Sequence, residues 1–75
     1  MNLACLNENA SAMVISLSGP SGIRQRLLDI GLTPGTTVKC LQTSALGDPT
    51  AYLIRGAVMA IRAEDAEGVA VLRVS

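Results

Sequence analysis

Six carboxylates and two thiols are the groups in this chain with chemistry to offer, and their spacing decides what they can do. Glu64, Asp65 and Glu67 lie together in the run Ala-Glu-Asp-Ala-Glu-Gly, where Asp65 beside Glu64 or Glu67 has the outline of an acid–base pair. A solvated acidic helix turn explains the same run with fewer requirements. The chain has no His, no Gly-rich phosphate loop and no nucleophile with a base set near it, so the reading is of a protein that is not an enzyme. Cys5 and Cys40 have no Cys-x-x-Cys spacing, and without His they leave no zinc site of the Cys/His kind within one chain. Cys40 reads as a small buried hydrophobe. No metal or cofactor site is assigned.

Bulk composition narrows the remaining classes. Six basic and six acidic residues give no net charge, whereas nucleic-acid binding calls for a concentrated basic field. One Tyr, no Trp and no Phe leave neither a platform for stacking bases nor the aromatic lining of a groove for Pro-rich peptides. At 49% hydrophobic and 16% charged, the 75 residues are apolar enough to fold as one small domain spanning 1–75. No segment approaches the ~18 apolar residues of a membrane span, so direct membrane insertion is not expected. Leu3-Ala4-Cys5 has the look of a lipoprotein cleavage site, but no basic, apolar leader precedes it here. The expected compartment is the cytoplasm.

The elements that would position any site follow from the spacing of apolar residues and turn formers. Met1–Ala10 is a polar lead-in with Leu3 and Leu6 as anchors. Ser11–Leu17 is β-rich, with Met13, Ile15 and Leu17 on one face and Ala12, Val14 and Ser16 on the other. After Ser-Gly-Pro-Ser-Gly comes a helix with Ser21 as N-cap and Ile23, Leu27 and Ile30 as its apolar stripe. Gly31 then stops it in a left-handed conformation, with Leu32 and Leu27 as the apolar pair of a Schellman cap. In Thr-Pro-Gly-Thr, Pro34 and Gly35 occupy the central positions of a type II turn, which releases the chain into the strand Thr-Thr-Val-Lys-Cys-Leu-Gln. Leu46–Pro49 reads as a loop, and two strands flank Gly56 in a hairpin. One helical turn containing an inward Ala66 precedes a closing strand in which Val69 and Val71 share a face. Five short strands cannot form a two-sheet sandwich, but they can curl into a mainly β, partly open five-stranded barrel. One short α-helix follows the first strand and a single helical turn precedes the last.

The order of these motifs resembles the FeoA family, the small SH3-like proteins of bacterial ferrous-iron uptake. The resemblance covers nearly the whole chain. It rests on the run from Arg24 to Cys40 (RQRLLDIGLTPGTTVKC), on Leu-Gly-Asp-Pro after the following strand, and on RGAVMAIRAEDAEGVAV. The sequence departs from the family at Ala12-Met13, where a polar pair is common, and in the polar stretch leading into the helix. The resemblance implies an SH3-like barrel and an accessory role beside FeoB, a membrane ferrous-iron transporter with a GTP-binding cytoplasmic domain. The same module forms the C-terminal domain of some iron-dependent repressors, but this chain carries no DNA-reading helix pair.

With no catalytic set, the expected role is protein binding. Ferrous iron favours imidazole and carboxylate ligands, and Asp48, Glu64, Asp65 and Glu67 alone would give weak surface binding at most. The candidate contact residues are those the core does not consume. They are Arg24 and Arg26 on the helix, Leu28 about 100° around from Leu27, and Leu46, Gly47 and Asp48 in the loop. Arginine with large apolar anchors is a common hot-spot composition. The expected partner is the cytoplasmic part of a FeoB-like transporter. The alternative is a structural or oligomerising module that self-associates weakly through exposed strand edges, or a regulatory module like that of the repressors.

Overall fold

Gly31 and the turn after it set the course of the chain. In the computed structural model, which describes residues 1–43 and 47–75, both adopt the conformations their residue types predict. Helix α1 spans Ser21–Asp29 and closes at Ile30. Gly31 takes φ +108, its N–H donates to the Leu28 carbonyl at 3.0 Å, and the Leu32 N–H donates to the Leu27 carbonyl at 3.0 Å. Those two bonds are the Schellman pair, and Leu27 and Leu32 are both buried. In the turn, Gly35 has φ +92 and the Thr36 N–H donates to the Thr33 carbonyl at 3.0 Å.

Five strands follow the expected order: β1 (Ser11–Leu17), β2 (Thr37–Thr43), β3 (Thr50–Ile54), β4 (Ala57–Ile61) and β5 (Val69–Arg73). They form one antiparallel sheet ordered β4-β3-β2-β1-β5. The Pro-Gly turn is stitched to β1: Gly35 N–H donates to Val14 O, and Val14 N–H donates to Thr36 O, each at 2.8 Å. A single turn, α2 (Ala63–Ala66), joins β4 to β5 and buries Ala66. At the β3–β4 hairpin, Gly56 has the expected positive φ, and Arg55 does as well, the pattern of a type I′ turn.

Two local expectations are corrected. Ser21 is the first helical residue rather than the N-cap; Pro20 caps α1 and no side-chain cap bond forms. Its ring fixes φ at −57 while ψ stays extended, so the chain turns into the helix one residue earlier than a Ser cap would place it. In β1 the inward face is Ala12 and Val14, and Ile15 is exposed. A register shift between Val14 and Ser16 changes the parity of the strand, so Leu17 packs on the core while Ser16 is exposed. The lead-in is anchored through Leu3 and Leu6, as expected. Leu3–Cys5 forms a 3-10 turn, Leu3 and Leu6 are buried, and the Tyr52 hydroxyl donates to the Leu3 carbonyl at 3.2 Å.

Candidate functional site

Helix α1 lies with Leu27 in the core and Ile23 and Ile30 packed at its margin. Two flanks remain. On one, Ser21, Arg24, Gln25 and Leu28 recur at i, i+3, i+4 and i+7 and so form a stripe. That stripe borders an open groove of about 440 Å³, closed on its far side by Ser16 and Leu17 of β1 and by Pro34 of the type II turn. Leu17, Leu28 and Pro34 give it apolar walls. Arg24 is its one charged lining residue and makes no ion pair among the described residues.

The other flank of α1 carries Arg26 and Ile30. They line a second groove, of about 270 Å³, with Met59, Ala60 and Ile61 of β4 and with Arg62 and Asp65. Arg26 Nη2 contacts Asp65 Oδ2 at 2.8 Å, although the arginine side chain stays 64% exposed. The Asp65 side chain is only 10% exposed, so the pair is half-shielded from solvent and fixes the direction in which the arginine points.

The expected contact residues therefore divide. Arg24 and Leu28 meet on one groove, whereas Arg26 joins the α2 side because two positions along a helix are about 200° apart. Asp48 also belongs to the α2 side: its Oδ1 accepts the Ala63 N–H at 2.9 Å, capping the start of α2 from a distant loop. Gly47 is exposed beside it with φ +81. Leu46 lies outside the described residues. Leu17 and Pro34 were missed as lining residues because each had already been assigned to structure. The Ser21–Leu28 stripe was present in the sequence, but its mixed polarity hid it from a search for apolar periodicity.

The remaining reactive groups are dispersed. Cys5 is exposed and Cys40 fully buried, and burial, with help from the Glu8 carboxylate, pushes the Cys40 thiol up from its usual range. Among the described residues no three His, Cys, Asp or Glu side chains converge as a metal site, and no helix is long and apolar enough to cross a membrane.

The FeoA domain family matches residues 1–73. The chain belongs to the FeoA family. Among solved structures, the FeoA protein of Chlorobium tepidum superposes with a TM-score of 0.93 at 33% identity, covering all of this chain and 71% of that one. The Stenotrophomonas maltophilia FeoA, solved with zinc and described as a prokaryotic SH3 domain protein, gives 0.84 at 27% identity over 95% of this chain and 88% of its own. The barrel is thus SH3-like. A curated relative, the Fe(2+) transport protein A/Fe(2+) transporter FeoB fusion protein of Porphyromonas gingivalis, is 31% identical over the full 75 residues. This FeoA chain spans 9% of that relative's length. The family is tied to ferrous-iron transport, and in one relative the module is joined covalently to FeoB.

Proposed function

We propose that this FeoA domain is a cytoplasmic accessory protein of ferrous-iron uptake that docks on the cytoplasmic part of a FeoB-like transporter and modulates it. The observation that carries the reading is the fused relative. Joining two modules in one chain raises their effective concentration to about the millimolar range, which benefits a pair that must touch. The groove beside α1 is the docking surface in this reading. Its apolar walls and single unpaired guanidinium suit a segment that presents a large apolar residue next to a carboxylate.

An NMR titration of the labelled domain with the transporter's cytoplasmic GTP-binding region tests it, with and without nucleotide. Shifts are expected at Leu17, Arg24, Leu28 and Pro34. Arg24→Glu combined with Leu28→Ser should weaken binding by about tenfold or more, the loss expected of a hot spot, while the fold stays intact. Unchanged affinity in that double variant would remove the groove from the reading. A separate titration with anaerobic ferrous iron alone should leave these resonances unmoved.

A further inference from the structure

The two edges of the sheet are treated differently by the chain. The outer edge of β5 is covered by the lead-in: Asn2 bridges Ala70, and the Val71 N–H donates to the Met1 carbonyl at 2.9 Å. β4 pairs with β3 alone, and no other backbone bond reaches Ala57–Ile61 among the described residues. The two-residue turn at Arg55–Gly56 makes Ile54 and Ala57 a hydrogen-bonded pair, and the pattern alternates from there. Val58 and Ala60 consequently turn their N–H and C=O groups outward. Natural edges are blunted by charge, proline, bulges or cover. Ala-Val-Met-Ala-Ile has no charge or proline, its pairing with β3 runs without a register shift, and its Val58 is 64% exposed. Ala60 borders both the Arg26 groove on one side and a shallow hollow with Gln42, Pro49 and Ala51 on the other, so the edge is open from both faces.

The geometry points to antiparallel pairing of β4 with β4 of a second copy, about a two-fold axis at Met59. In that register Val58 exchanges two hydrogen bonds with Ala60 of the second copy, and Ala60 does the same with its Val58. The large side chain on one strand then sits beside the small one on the other. Charge favours this occupant over an acidic extended peptide. The hairpin tip carries Arg55, which makes no ion pair among the described residues. The exit of β4 carries Asp48, Glu64, Asp65 and Glu67 against Arg26 and Arg62, a net of two negative charges. Antiparallel self-pairing brings each positive tip to the other copy's net negative end, with Arg62 and Arg55 of the two copies as the one like-charge approach. An acidic peptide would meet that negative end instead. The pairing does not rest on the transporter reading, because the Arg24–Leu28 groove lies on the opposite flank of α1.

Sedimentation velocity of the full chain from about 10 μM to about 1 mM, together with amide exchange at each concentration, provides the test. A monomer–dimer equilibrium is expected, with the Val58 and Ala60 amides gaining protection as dimer forms. Ala60→Pro deletes an outward donor without touching the β3 ladder, and Val58→Lys adds edge charge. Either should weaken association by about tenfold, whereas Leu72→Lys on the exposed face of β5 should not. A chain that stays monomeric to 1 mM, or one that associates while those two amides stay unprotected, would overturn the proposal.

Discussion

At the scale of single residues, Tyr52 shows how one side chain can couple distant parts of a small core. Its ring is 2% exposed between β2 and β4, and its hydroxyl reaches the Leu3 carbonyl of the lead-in. Burial foremost, then the neighbouring Cys40, pushes its pKa from 10.0 up to about 12. The folded state thus favours the protonated phenol more than the unfolded chain does. Stability from this source is complete below pH 10 and is lost as pH rises from 10 towards 12. Denaturant melts across that interval should show the midpoint falling, and Tyr52→Phe should remove the contribution of this residue to the fall. A midpoint that falls identically in the variant would mean that other groups govern the alkaline limit. The same scale explains why the expected contact residues lie on two flanks. Arg24 and Arg26 look equivalent in the sequence, yet two helical steps, about 200° in all, set a groove residue apart from the partner of Asp65. The role of Asp48 was not legible at all, because it caps a helix 15 residues further on.

At the scale of elements, the passage from α1 into β2 was the most legible part of the chain. Positive φ at Gly31 and Gly35 and the fixed φ of Pro34 are local constraints, so residue type alone determines them. The parity change in β1 was hidden because a bulge depends on pairing with β5, which local sequence does not encode. Gly31 also has a tertiary role. A Cβ there would lie 3.1 Å from both the Arg55 Cδ and the Ile54 Cγ2, atoms of the β3–β4 hairpin. Gly31→Ala should cost about 1–3 kcal/mol from backbone strain alone, with the crowding against Ile54 added to it. Thermal melts of this variant beside Gly22→Ala, where nothing lies within 4 Å, would separate that combined cost from the gain in helix propensity. Equal melting temperatures would show that α1 and the hairpin are not held in register through this glycine.

For the whole molecule, size sets the terms. At about 0.05–0.15 kcal/mol per residue, 75 residues give a total stability of about 4–11 kcal/mol. Leu27 is 3% exposed and joins α1 to the sheet, so Leu27→Ala should cost about 2–5 kcal/mol, a large share of that total. A cooperative unfolding transition shifted far to lower denaturant is the expected result, and a variant that melts like the parent would show that α1 adds little to the core. The lead-in belongs to the same balance, since Leu3 and Leu6 extend a core that five short strands could not complete.

The place of α1 between two grooves has a consequence for mutational mapping. A saturation scan along Ser21–Ile30 will not yield a contiguous block of sensitive positions. Defects should recur with the helical period of about 3.6 residues. Positions 21, 24, 25 and 28 would group with loss of transporter engagement, 27 and to a lesser degree 23 and 30 with loss of folding, and 26 with neither. Neighbours in the gene would then fall into separate phenotypic classes, and residues a full turn apart into the same one.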